Sequence, residues 1–174
     1  MSRVSQFFKD VFSPLFHLDQ AIFRQYLTEP EIRYIQRLRR AERLHVIQVT
    51  KKTGAGLPRG LSEPERSAIM KAVLLHDVGK YHYAMGPVAK TGMVLFGRWL
   101  SQNPDNLKKY NRLDVYLHHA HYSWELVMAL GSFPEYPYLY DLIRFHHEPE
   151  RFVKKYGKKE QTIFWIYKKA DDES

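Results

Sequence analysis

The sequence predicts a single all-α domain, and three observations support this fold class. Apolar residues recur at helical spacing along most of the chain, whereas the strict alternation typical of half-buried strands is hard to find. Two segments carry helix-start signatures in which a hydroxyl residue precedes a Glu by three positions and Pro occupies the first turn. With 174 residues, 44% of them hydrophobic, the chain is long enough to bury one core.

The two helix-start signatures are Thr28-Glu29-Pro30-Glu31 and Ser62-Glu63-Pro64-Glu65. The first predicts a helix over about residues 29–52, and the second predicts a helix over about residues 63–77. The run 53–60 is rich in Gly and contains Pro, so it predicts the loop between these helices.

Periodicity predicts further helices near residues 4–13, 18–27, 87–101, 112–130, 137–147 and 160–171. Gly131 is the predicted C-terminal stop of the 112–130 helix, and Asn103-Pro104-Asp105 marks a turn. Residues 1–28 are expected to form a helical extension packed on the core, and residues 29–174 are expected to form the main domain.

Composition narrows the class of protein. No apolar run approaches the roughly 20 residues of a transmembrane helix, and the N-terminal segment lacks the apolar stretch of a signal peptide. The absence of Cys excludes disulfides, thiolate zinc sites, iron–sulfur clusters and a Cys nucleophile. A cytoplasmic protein without a transmembrane segment is expected.

The chain is basic, with 27 Lys and Arg against 19 Asp and Glu and a net charge of +8. The basic residues concentrate in two segments and include Arg33, Arg37, Arg39, Arg40, Arg43, Lys154, Lys155, Lys158, Lys159, Lys168 and Lys169. Such a surface attracts nucleotides, nucleic acid or acidic membranes. A solvated basic face without a ligand is the equally open alternative.

Five of the predicted helices each carry a His or Asp on an apolar face. His45 is spaced from Ile35, Leu38 and Val49 as on one helix face, and the corresponding residues elsewhere are His76, His119, His146 and Asp171. A single inward His is ordinarily a core residue with a hydrogen-bond partner. Several buried imidazoles and carboxylates are costly unless they pair or bind metal. Because imidazole and carboxylate together suit divalent transition metals, the pattern predicts a shared metal centre.

The ordered set of motifs resembles the HD-domain superfamily of metal-dependent phosphohydrolases. The matching elements span about residues 30–172 and are His45, His76-Asp77 with Gly79-Lys80, His119, His146-His147-Glu148 and Ala170-Asp171. Ser123 stands where binuclear members usually have Gly. Pro149-Glu150-Arg151-Phe152 replaces the Gly-Tyr-Pro signature of the related HD-GYP phosphodiesterases, which argues against specificity for cyclic di-GMP.

The resemblance implies a helical bundle with two divalent metal ions between its core helices. One ion would take His45, His76, Asp77 and Asp171, and the second would share Asp77 and take His119, His146 and His147. Asp172 is an alternative to Asp171, although the apolar spacing favours Asp171. Iron or manganese is the first expectation for the metal, with nickel, cobalt, zinc and magnesium as alternatives.

By the same resemblance, a metal-activated hydroxide would attack the phosphorus of a nucleotide or nucleotide-like phosphoester or phosphodiester. Asp77 would bridge the metals, and Lys80 would neutralise charge on the phosphoryl oxygens. Lys80 is also compatible with a solvated lysine at a helix end. The expected partner is a phosphate-containing small molecule, with nucleic acid and a second copy of the chain as open alternatives.

Two other functions remain open at this stage. HD-type di-iron oxygenases use a similar set of ligands, and a non-catalytic HD domain would bind nucleotide or nucleic acid through the basic surface. Metal-dependent phosphate release favours the hydrolase, and oxygen consumption favours the oxygenase. Salt-sensitive nucleic-acid binding without turnover favours the binding domain.

Overall fold

The computed structural model describes residues 18–82 and 111–174, and these two ranges contain helices and no strand. The helices are α1 (Ala21–Tyr26), α2 (Glu29–Arg37), α3 (Arg40–Gly56), α4 (Glu63–Leu75), a 3-10 helix (Val78–His82), α5 (Asn111–Ala129), α6 (Tyr138–Arg144), α7 (Pro149–Lys155) and α8 (Lys158–Asp172). The all-α prediction is therefore confirmed. The predicted helices near 4–13 and 87–101 and the predicted turn at 103–105 lie outside the described residues.

Helix α4 forms the centre of the core. Its residues 72–75 are all at most 1% exposed, so this end of the helix is buried on every side. Helices α1, α3 and α6 pack against α4, and α8 packs against α3. None of the helices in the described ranges is both long and apolar enough to cross a bilayer.

The described part of the predicted N-terminal extension, residues 18–28, packs on this core. Leu18, Ile22, Phe23 and Leu27 are buried in the same apolar cluster as the residues of α4. Helix α1 therefore shares the core of the main domain, and the boundary predicted at residue 28 stays a prediction.

The two predicted helix starts coincide with the observed ones. Helix α2 begins at Glu29, where the Glu31 carboxylate accepts a hydrogen bond from the Thr28 N–H at 2.8 Å. Helix α4 begins at Glu63, where the Ser62 hydroxyl accepts from the Glu65 N–H at 3.3 Å. These bonds satisfy backbone groups that have no partner within the helix.

The predicted glycine stop after α5 is also observed. Gly131 has a φ of 61°, its N–H donates to the carbonyl of Met128, and the Ser132 N–H donates to the carbonyl of Val127, both at 3.0 Å. This pair of bonds is a Schellman motif, which requires the left-handed conformation that Gly adopts without strain.

The prediction of one continuous helix over 29–52 is wrong, because the chain breaks at Leu38 and Arg39. Both residues have extended backbone, with ψ of 150° and 154°. Leu38 is buried, and the Arg39 N–H donates to the Glu42 carboxylate at 3.1 Å as α3 begins. Ile35 and His45 therefore lie on different helices, and the single face predicted from their spacing does not exist.

Other predicted boundaries also move. Helix α3 continues to Gly56, so the predicted loop at 53–60 begins only at residue 57. Helix α4 ends at Leu75 rather than at residue 77, and α6 ends at Arg144 rather than at residue 147. Helix α7 is absent from the sequence prediction because its seven residues bury only Phe152 and so show no helical period.

Candidate metal centre

The His76-Asp77 and His146-His147 motifs lie in the turns that follow α4 and α6. The first histidine of each motif has the same hydrogen-bond geometry. His76 Nδ1 lies 2.7 Å from the carbonyl oxygen of Val73, and His146 Nδ1 lies 2.7 Å from that of Ile143. A carbonyl oxygen only accepts, so each Nδ1 carries a proton and donates it. In the neutral ring Nε2 then keeps its lone pair, which is how backbone carbonyls orient metal-binding histidines.

Asp77 lies between two groups of histidines and is only 2% exposed. Its Oδ2 is 3.8 Å from His45 Nε2 and 3.5 Å from His76 Nε2. Its Oδ1 is 3.1 Å from His119 Nε2 and 3.9 Å from His146 Nε2. The two carboxylate oxygens thus face different imidazole groups, as a carboxylate that bridges two metal ions must do.

The first group joins His45 on α3, His76 after α4 and Asp171 on α8. Asp171 Oδ1 lies 3.1 Å from His45 Nε2 and 3.6 Å from His76 Nε2. The potential ligand atoms of the three side chains all lie within 4.8 Å of one another. The neighbouring Asp172 is exposed and pairs with Lys168, so the structure brings Asp171 into the group and not Asp172.

The second group joins His119 on α5 with His146 and His147 after α6, again with ligand atoms within 4.8 Å of one another. His147 Nε2 lies 2.9 Å from His119 Nε2. His146 Nε2 is fully buried and has no hydrogen-bond partner. A buried nitrogen without a partner is costly, and a metal ion at this position would supply one. The structure therefore gathers the other six predicted metal ligands around Asp77.

The 3-10 helix that follows Asp77 packs closely on α5. The Gly79 N–H donates to Ser123 Oγ at 2.8 Å. A Cβ atom at position 79 would lie 2.4 Å from the His119 carbonyl oxygen and 2.6 Å from the Ser123 backbone nitrogen. Helix α5 departs from helical geometry at His118, with φ −116° and ψ 15°, just before His119. Gly79 and Ser123, which the sequence marked only as motif neighbours, therefore hold Asp77 and His119 together.

Replacing Gly79 with Ala is expected to destabilise the protein by about 2–3 kcal/mol, because backbone atoms cannot move aside as a flexible side chain would. Thermal or urea unfolding of the variant measures this change. Gly60→Ala is the matched control, since a Cβ there meets no atom within 4 Å. Equal stabilities of the two variants would contradict the close packing of the 3-10 helix on α5.

Lys80 on the 3-10 helix extends its ammonium group to Asp77 Oδ2. Burial opposes both charges, yet Asp77 raises the pKa of Lys80, and Lys80 together with His76 holds the pKa of Asp77 well below its usual range. The pair therefore stays ionised. Lys80 is part of the centre and not a lysine solvated at a helix end.

Three further candidate ligands, Asp171, His146 and His147, have the protonation states that a metal requires. Burial opposes the charge of Asp171, but its contacts with His45 and His76 lower its pKa. Burial and His147 hold the pKa of His146 well below its usual range. Burial and His119 lower the pKa of His147 to about 4. Near neutral pH the Asp171 carboxylate is thus ionised and the His146 and His147 imidazoles are neutral, as metal binding requires.

The residues of the candidate centre differ in their exposure to solvent. The side chains of His45 and Lys80 are 25% and 24% exposed, whereas those of His76 and His146 are each 1% exposed. His147 also has an exposed edge. A ligand would therefore approach past His45, Lys80 and His147.

Two histidines of the described residues, His118 and His121, do not join the cluster. His121 is exposed, pairs with Glu125 at 3.3 Å and stacks on Trp124. His118 is exposed at the irregular position of α5. His17 and the side chain of His82 lie outside the described part of the chain.

A comparison with protein-family models, curated proteins and solved structures finds no match to this chain. The geometry and the donor chemistry of its own residues therefore carry the functional inference.

Proposed function

We propose that the chain is a metal-dependent phosphohydrolase of the HD type that its motifs resemble, and that it acts on a nucleotide or nucleotide-like phosphoester. The observation that supports this most strongly is the position of Asp77. Its two oxygens face two separate groups of imidazole nitrogens, one of which also contains Asp171. Two adjacent metal ions bridged in this way are typical of enzymes that displace groups at phosphorus.

The donor set fits two divalent transition metal ions. With the shared Asp77, each group offers imidazole nitrogen and carboxylate oxygen, which iron, manganese and related metals accept. The two ionised carboxylates offset part of the charge of two dications, and the remainder favours an anionic substrate. The buried Nε2 of His146 has no hydrogen-bond partner among the described residues. Its lone pair independently fits an electron-pair acceptor such as a metal ion.

Bound metals would supply an acidified water and would polarise phosphoryl oxygens. The chain's own residues do the rest. His76 and His146 are held in position by backbone carbonyls, so their Nε2 atoms need no reorganisation. Lys80, beside Asp77 and at the open side of the centre, neutralises charge that develops on a phosphoryl oxygen. The basic surface of the chain raises the local concentration of anionic nucleotides.

Metal binding is expected to strengthen with rising pH. Burial opposes protonation of His76, but Asp77 and Asp171 raise its pKa above the ordinary 6.5. Protonated His76 therefore stabilises the metal-free fold below about pH 6.5, and this contribution is lost as the pH rises through the folded-state pKa. Metal requires the neutral ring. The rise in Tm on adding Mn²⁺ should be larger at about pH 8 than at about pH 6, and a shift of equal size at both would contradict this reading.

Hydrolysis of a nucleotide panel tests the proposed activity directly. The protein would be reconstituted with Fe²⁺ or Mn²⁺ and assayed for release of phosphate or nucleoside, with His76→Ala as the variant lacking a ligand. We expect metal-dependent turnover by the wild type and none by His76→Ala. Lys80→Met should retain metal and lose roughly 100-fold in turnover, the scale of removing one electrostatic stabiliser.

Each alternative outcome of the panel has a distinct meaning. Full activity without metal contradicts the proposal. If protein that retains two metals releases no phosphate or nucleoside but consumes oxygen, the centre is that of an oxygenase. If protein that retains no metal shows no hydrolysis but binds nucleic acid in a salt-sensitive way, the chain is a binding domain.

A further inference from the structure

Tyr167 carries a buried hydroxyl group that has no hydrogen-bond partner among the described residues. The residue lies on α8 one turn before Asp171 and is 0% exposed. Its ring packs edge-on against the His76 ring, with centroids 5.4 Å apart. Its Oη is fully buried and makes no hydrogen bond. The ring therefore lies beside a candidate metal ligand, and the hydroxyl has no hydrogen bond to a described residue.

Other tyrosines of the chain show what a partly or fully buried phenol ordinarily does. Tyr138 donates to the Glu65 carboxylate at 3.3 Å, and Tyr156 donates to Asp141 at 2.7 Å. The Tyr140 hydroxyl accepts from the Phe133 N–H at 2.9 Å. Since a buried hydroxyl without a partner costs free energy, Phe would be the more stable residue at position 167 if packing were the only requirement.

The surroundings of Tyr167 identify the kind of partner. Tyr167 precedes Asp171 by four residues on α8, and its ring contacts His76, so it adjoins two residues that the proposed function gives to one metal. A phenol that keeps its proton is a donor, and metals held by this donor set complete their coordination with oxygen from water or substrate. The partner that fits is therefore an oxygen atom brought by a non-protein ligand.

We propose that Tyr167 is a further hydrogen-bond donor of the metal centre and that its hydroxyl binds an oxygen ligand there, either a water or a phosphoryl oxygen. The inference rests on the proposed function, because it needs the metals to be present. It adds a residue that the motif resemblance does not include and that acts next to the group of His45, His76 and Asp171.

Tyr167→Phe tests this role, because it removes one oxygen and leaves the ring that packs on His76. Three quantities would be measured: Tm without metal, the increase in Tm on adding Mn²⁺, and the Kd of inorganic phosphate for the Mn²⁺-loaded protein. We expect an unchanged or higher Tm without metal, and phosphate binding weakened about tenfold, the loss of one hydrogen bond to a charged group. If Tyr167→Phe shows a smaller Mn²⁺-induced increase in Tm in the absence of phosphate, the bound oxygen is that of a water. If only the Kd of phosphate changes, the bound oxygen is a phosphoryl oxygen.

Tyr138→Phe is the matched control, since its hydroxyl bonds to Glu65, which is not one of the candidate ligands. It should lower the Tm without metal by roughly 2–4 °C and leave metal and phosphate binding unchanged. If Tyr167→Phe behaves like this control, or matches the wild type in all three measurements, the donor role is wrong while the metal centre stands. If the wild type shows no response to any divalent metal, the proposed function and this inference both fail.

Discussion

Replacing Asp77 with Asn is expected to remove both metal ions and to abolish hydrolysis. The substitution keeps the size of the side chain but deletes the charge that faces His45 and His76 on one side and His119 and His146 on the other. Loss of an outer-shell partner alone weakens metal binding by about 10–100-fold, so loss of a shared ligand should exceed roughly 100-fold at each site. Metal analysis of the purified variant, together with the nucleotide panel, measures this effect.

The same substitution should destabilise the metal-free protein. Lys80 is partly buried against Asp77 and would lose its counter-charge. Such a loss costs several kcal/mol in a fully buried ion pair. Because the Lys80 side chain is 24% exposed, we expect a smaller loss of about 1–3 kcal/mol. Asp141→Asn is the matched control, because Asp141 is also a buried carboxylate and pairs with Lys155 and Tyr156 away from the centre. It should lower stability and leave the metal content unchanged. Equal metal content in both variants would reject Asp77 as a ligand.

Replacing Asp171 with Asn is expected to remove one metal and to reduce turnover by at least about 100-fold. Its Oδ1 lies 3.1 Å from His45 Nε2 and 3.6 Å from His76 Nε2, so these two imidazoles lose the carboxylate that they share besides Asp77. The second group does not contain Asp171 and should keep its metal with lower affinity. Metal stoichiometry after dialysis, compared with that of the wild type, separates loss of one ion from loss of two.

Asp172→Asn is the matched control for Asp171→Asn. Because the two residues are adjacent in sequence and chemically identical, a difference between the two variants reports only the position of the carboxylate. Asp172 is exposed and pairs with Lys168, and such a pair on a helix surface contributes about 0.3–0.5 kcal/mol. Its variant should keep both metals and near-normal turnover. If Asp172→Asn loses metal and Asp171→Asn does not, the assignment of the first group is wrong.

Local features of the chain predicted most of its helices correctly because the physical causes are local. The caps at Thr28 and Ser62 and the stop at Gly131 each depend on atoms within five residues, so the spacing of side chains suffices to locate them. The break at Leu38 and Arg39 lacked such a signal. Leu38 is turned into the core by contacts from elsewhere in the chain, and these override the helical preference of the segment.

The early ends of α4 and α6 are the most informative differences from the prediction. Periodicity extended both helices through their histidines, whereas the structure ends them at Leu75 and Arg144. Ending a helix leaves carbonyl groups without partners, and His76 and His146 each donate to one of them. The turn thereby fixes the ring, which a position in mid-helix would not do.

The sequence by itself predicted the all-α class, and helical spacing, which separates inward from outward residues, predicted the preference for Asp171 and four histidines, His45, His76, His119 and His146. Asp77 and His147 came from the resemblance. Only the tertiary structure decided how those ligands are grouped. His45 and Asp171 are 126 positions apart and meet at 3.1 Å, and the division of the imidazoles between the two oxygens of Asp77 depends on the packing of α3, α5 and α8. The unpartnered Tyr167 hydroxyl was likewise invisible in the sequence. Spacing reports which side of its helix a residue occupies, and only packing between helices decides which atoms it meets.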